Sequence, residues 1–159
     1  MTTHIKTIRD ARAWLLEQVK DVSISQFNQI PPGFTNNICW NMGHLVAVQQ
    51  AICYKNAGLP LSISDDFWKK FRSGSKPDVI FGECDIIQIK QLLITTLDQL
   101  ETDYINRVFA NYTAWSTRIG TKITSIDDGL EFLAFHERLH SGTITALKRL
   151  VSKNDLDNA

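Results

Sequence analysis

The chain has 159 residues, 43% hydrophobic and 21% charged, which suits one domain with its own core and excludes a largely disordered chain. Its 17 basic and 17 acidic residues cancel, so no surplus of positive charge marks it for nucleic acid. No apolar run reaches the roughly 18 residues that cross a membrane, so no membrane partner is expected.

Residues 1–6 carry no apolar signal core, and Cys39, Cys53 and Cys84 are odd in number without a C-x-x-C pair. Free thiols of this kind suit a reducing compartment, and the cytoplasm is the expected location. From about residue 4 to 20, Ile5, Ile8, Ala11 or Arg12, Leu15, Leu16 and Val19 recur at helical spacing and predict an amphipathic first helix. It fades into residues 21–33, where Pro31-Pro32-Gly33 marks a loop. Thr35-Asn36-Asn37 then caps a second helix running to about residue 56, closed by Gly58 and Pro60. Residues 57–84 form a long connection with a short helix around Asp65 to Phe71, acidic at its start and basic at its end. Such a connection is suited to covering one end of the fold. Ile86, Ile89, Leu93, Thr96 or Leu97, Leu100 and Tyr104 define a third helix ending near Arg107. Residues 108–126 read as a loop with a brief hairpin around Gly120. Ser125 with Asp127 and Asp128 starts a last helix to about Val151, leaving residues 154–159 as a polar, frayed tail. Four helices and no credible sheet predict an all-α fold, a four-helix bundle with a long crossover between its second and third helices, in a single domain over residues 1–159.

Phe135-His136-Glu137-Arg138-Leu139-His140 organises the chemistry. Positions i and i+4 share a helix face, so His136 and His140 aim two imidazoles at one point. Leu133, Thr143 and Leu147 fall in the same narrow arc, which turns both histidines inward. Two neutral imidazoles on adjacent turns are half of a tetrahedral metal site, and the expected third ligand is His44. The stripe of the second helix that holds His44 also holds Asn37, Trp40, Asn41, Val48 and Ala51, so His44 points inward too. The bland alternative is three unrelated polar residues, each hydrogen-bonded in the core. Burying two imidazoles side by side without a shared partner is unfavourable, and a cation removes that cost. His4 reads as an exposed terminal histidine. Cys39 and Cys53 lie far around their helix from His44 and are not expected as a fourth ligand.

The run His136-Glu137-Arg138-Leu139-His140 also spells H-E-x-x-H, in which the glutamate serves a zinc hydrolase as general base. That reading lacks a third ligand downstream, since the only later carboxylates are Asp155 and Asp157, and it lacks a sheet to hold a peptide. Glu137, about 100° around from His136, is expected at the surface rather than as a base at the rim of the site. Asn41 is a candidate hydrogen-bond partner for a ligand or a metal-bound water, and Trp40 a core or pocket-wall residue.

Trp40-Asn41-Met42-Gly43-His44-Leu45 together with His136-Glu137-Arg138-Leu139-His140-Ser141-Gly142-Thr143-Ile144 resembles the DinB-like (damage-inducible, YfiT-type) superfamily of bacteria. Helix order and the long second connection extend the likeness over essentially the whole chain. The resemblance implies parallel second and third helices, a divalent metal, often nickel or zinc, on His44, His136 and His140, and frequently a homodimer. Characterised relatives include transferases that join a low-molecular-weight thiol to an electrophile, and isomerases that use a thiol cofactor. Ser141 before Gly142 departs slightly from the usual pattern. The expected function is thus a metal-dependent thiol S-transferase of detoxification type, its three-histidine site activating a small thiol or water, against a non-catalytic metal-stabilised bundle serving stress response or interaction and, further behind, the H-E-x-x-H hydrolase. Three histidines alone suit zinc, nickel, copper and iron alike.

Overall fold

A computed structural model of the chain describes residues 3–157, with side chains as far as residue 152. α1 (Thr3–Gln18) buries Ile5, Ile8, Arg12 and Leu15, the helical stripe that the spacing predicts. The segment expected to fade into a loop instead forms a short helix, α2 (Ile24–Asn28). Its signal was the capping box Ser23-x-x-Gln26, in which the Ser23 side chain accepts from the Gln26 N–H and the Gln26 side chain from the Ser23 N–H. The Asn28 amide then exchanges hydrogen bonds with the backbone of Phe81, and Asn28 O accepts from Asn37 Nδ2. This short turn therefore ties the end of the long connection to the start of the next helix.

α3 (Ile38–Gln49) begins where Asn37 Oδ1 accepts from the Trp40 N–H at 2.8 Å, and every residue along it is buried. It runs on into a π-helical turn (Gln50–Tyr54) and a 3-10 turn (Lys55–Ala57), which Gly58 ends at φ +69°. α4 (Asp65–Phe71), capped by Ser64, lies in the connection to α5 (Glu83–Ile105). The hairpin forms around Gly120, pairing β1 (Trp115–Ser116) with β2 (Lys122–Ile123) antiparallel. α6 (Ile126–Asp157) starts at Ser125, whose Oγ accepts from the Asp128 N–H while Asp128 Oδ2 accepts from the Ser125 N–H. It passes the expected stop at Val151 and takes in residues 154–157 of the tail; residues 158–159 lie outside the described ones.

The fold is predominantly helical, the two-residue strands being the only sheet among the described residues. α1 packs on α5 and α6, while α3 packs on α4, α5 and α6. No helix among the described residues is long and apolar enough to cross a membrane. Two apolar clusters fill the interior. One holds Leu15, Leu45, Leu93 and Ile144, the other Ile8, Val48, Leu97 and Ala134. On each long helix the switch between them is marked by a buried polar residue: Arg12, Gln49, Thr96 and Glu137. Arg12 donates to Glu137 Oε1 through Nε and Nη2 at 3.0 and 2.6 Å, and to Gln49 Oε1 and Leu93 O through Nη1. Gln49 in turn donates to Thr96 O. A polar layer thus crosses the core and joins all four long helices.

Candidate metal centre

His44 comes from α3 and His136 and His140 from α6, and the fold brings the three together. One ring nitrogen from each lies within 4.8 Å of the others. Ring centroids are 4.4 Å apart for His136 and His140, 4.9 Å for His44 and His140, and 5.3 Å for His44 and His136. His44 Nδ1 is 2.7 Å from the Phe71 carbonyl, which can only accept, so Nδ1 carries the proton and Nε2 keeps its lone pair. His140 Nδ1 is 2.8 Å from Asn41 Oδ1. The Asn41 Nδ2 already donates to Asn36 Oδ1 and Asn37 O, which fixes its oxygen as the acceptor and the His140 tautomer with it. His136 Nδ1 is buried and has no hydrogen-bond partner.

Burial holds all three imidazoles below their ordinary pKa. His136 is lowered to about 2 by burial and then by His140, His44 and Arg12; His140 is lowered to about 4 by burial and by His44. His44 is lowered as well, by burial and by the charge of Arg118, against the Phe71 carbonyl that favours its protonated form. At neutral pH the cluster is three uncharged nitrogen donors, two of them with their other ring nitrogen held by an oxygen acceptor and one with an orphaned nitrogen. That donor set fits a borderline divalent cation such as zinc or nickel. The hydrogen-bonded, unrelated-residue alternative leaves the His136 orphan without explanation.

The other candidate residues fall in distinct places. Trp40 stacks on His44 at 4.5 Å and 14°, with Nε1 donating to Ser75 Oγ; it backs the imidazole and is not among the cavity-lining residues. Glu137 corrects the expectation of a surface charge: it is 0% exposed and paired with Arg12. α6 is covered on two sides, by α1 and by α3, so a residue 100° from the histidines is still interior. The same pairing turns Glu137 away from the cavity, and the H-E-x-x-H general-base role has no geometry to support it. His4 sits partly buried within α1, away from the cluster, not at a loose exposed start. Cys39 and Cys53 are buried free thiols pushed up to about 12 by burial, and neither joins the cluster.

The histidines face a cavity of about 550 Å³. Val48, Ala51 and Ile52 from α3 and its π-helical turn, Phe132, Phe135 and Leu139 from α6, and residues 115–119 of the hairpin line it. Three contributions to the site were not anticipated. The Phe71 carbonyl fixes His44 from the long connection, the hairpin forms a wall, and the Arg12 layer lies beneath α6. Arg12, a charge on an otherwise apolar stripe, carried a readable signal, and the hairpin could be read as a turn near Gly120 but not as a wall of the site; the Phe71 carbonyl carried none.

A predominantly helical protein that gathers three neutral imidazoles from two helices beside a largely apolar cavity belongs to the class of candidate three-histidine metal proteins. The DinB superfamily's family model matches residues 7–144, a span that includes all three histidines. The chain belongs to the DinB superfamily. No curated protein matches it.

Proposed function

We propose that the chain is a divalent-metal-dependent enzyme of the thiol S-transferase type, with His44, His136 and His140 holding the cation and the adjoining cavity holding a small thiol and its electrophile. The observation that carries this reading is the open face of the cluster. The candidate ligand group among the described residues contains three histidines and no fourth side chain, and it gives onto a cavity rather than onto packed core. In the same reading α1, α3, α5 and α6 make a four-helix bundle with a long crossover between α3 and α5, assembled as a homodimer in the cytoplasm. The three unpaired cysteines agree with a reducing compartment.

A bound cation supplies the acidity that turns a docked thiol into a thiolate at neutral pH. The chain's own residues do the rest. Phe71 O and Asn41 Oδ1 hold two imidazoles in the tautomer that presents a lone pair, and Trp40 fixes the His44 ring plane. Apolar walls from Val48, Ile52, Phe132 and Leu139 exclude water around the sulfur. The sulfur lone pair forms the new S–C bond, the bond from carbon to the leaving group breaks, and the thiol proton goes to solvent.

The test is elemental analysis of protein purified without added metal beside a His44→Ala variant, followed by conjugation of small thiols to monobromobimane. About one equivalent of metal in the first, little in the second, and conjugation that follows the metal support the enzyme. Metal that only raises the melting temperature, with no conjugation of any thiol, points to a metal-stabilised interaction protein.

A further inference from the structure

The cavity over the histidines has an uneven charge. Among the described residues lining it, Arg118 is the one side chain charged at neutral pH, the three histidines being neutral, and no carboxylate is present. Arg118 makes no ion pair among the described residues, so its guanidinium is available to a ligand. Arg118 is an exposed residue at the rim of the cavity, on a backbone turn that is itself held in place. The turn that carries it is braced by Thr117 N–H to Thr121 O, Gly120 N–H to Thr117 O and Thr121 N–H to Thr117 Oγ1, at 2.9, 3.0 and 3.0 Å. Trp115, at the base of the same hairpin, donates to Tyr112 Oη and sets its ring edge-on against Phe132 of α6 at 5.7 Å. The hairpin is thereby pinned to the helix that carries two of the histidines.

An arginine fork facing an apolar cavity recognises a carboxylate in a bidentate manner, with little competition from neighbouring acids. We propose that Arg118 anchors a carboxylate on a small ligand whose apolar body lies against Trp115, Phe132 and Leu139, so that this protein selects anionic, apolar-bodied substrates. This rests on the cavity being a substrate site, the reading given above. It goes beyond that reading by naming the substrate's charge and the residue that reads it.

The test uses a matched pair of probes, 4-phenylbutanoate and the neutral 4-phenylbutanamide, titrated calorimetrically into the full chain. Wild type and Arg118→Gln are each measured as metal-loaded and chelator-treated protein, with metal content recorded. The expected result is that wild type prefers the carboxylate by about tenfold or more and that Arg118→Gln reduces the preference to twofold or less, with and without metal. Equal affinities in wild type, no binding of either probe at millimolar concentration, or a preference that survives in Arg118→Gln overturn the proposal. A preference that survives the substitution but disappears with the chelator places the carboxylate on the cation, which sinks the arginine anchor and leaves the metal site standing. An Arg118-dependent preference in a chain that takes up no metal does the reverse.

Discussion

At the scale of single residues, the site depends on groups that would not themselves touch a cation. Asn41 is held by Asn36 and Asn37 so that its oxygen meets His140 Nδ1. Asn41→Leu keeps the volume and removes the acceptor, freeing the His140 ring to turn and to change tautomer. Partners of this kind are worth about 10–100-fold in metal affinity, and competition with a chromophoric chelator is expected to show that loss while circular dichroism stays unchanged. Gly43 acts one step further out. A Cβ there overlaps the ring of Phe71, the residue whose carbonyl holds His44. Gly43→Ala is therefore expected to lower stability by about 1–3 kcal/mol in urea unfolding, as overpacking does, and to weaken metal binding at the same time. Adding Phe71→Leu should recover part of both. A double variant no better than the single would show that the clash is not with this ring.

At the scale of elements, the Arg12 layer is the feature that joins the helices. Arg12 and Glu137 are 2% and 0% exposed, and Glu137 Oε2 has no further partner. Arg12→Met strands a carboxylate in the core, and Glu137→Leu strands a guanidinium; each is expected to lose about 3–5 kcal/mol. The double variant removes both charges and should lose clearly less than either single, read from chemical denaturation of the three proteins. Additive losses would mean that the pair is not coupled. The elements themselves were largely legible, because each rests on local chemistry: the Asn37 cap, the Gly58 stop, the Ser125 cap and the i, i+4 histidines can all be read within a few residues. What escaped was set by contacts distant in the chain. Nothing near Glu137 announces that Arg12 will meet it, and helical angle alone does not say how wide an arc of α6 its neighbours cover. The hairpin near Gly120 was visible as a turn, but its place above the histidines depends on Trp115 finding Phe132.

For the whole molecule, the buried imidazoles tie stability to pH. An unfolded histidine takes its proton near pH 6.5, whereas His140 in the folded chain does so at about 4 and His136 at about 2. Between those values the unfolded chain binds more protons, so acid favours unfolding. The metal-free protein is fully stabilised above about pH 6.5 and loses about 1.4 kcal/mol per pH unit below it for each histidine kept neutral. Glu137 works in the opposite sense. Burial raises its carboxyl, with Arg12 pulling it back, so it takes a proton in the folded chain before it would in the unfolded one and offsets part of the loss. The net expectation is a falling urea midpoint from pH 6.5 to 4, with a slope that shrinks markedly in a His136→Leu/His140→Leu variant. Metal-loaded protein should start higher and fall more steeply across the same window, because protons then displace the cation as well. A metal-free midpoint that stays flat down to pH 4 in the parent protein would mean that these imidazoles take up their protons in the folded chain as readily as in the unfolded one, against the burial that holds them neutral.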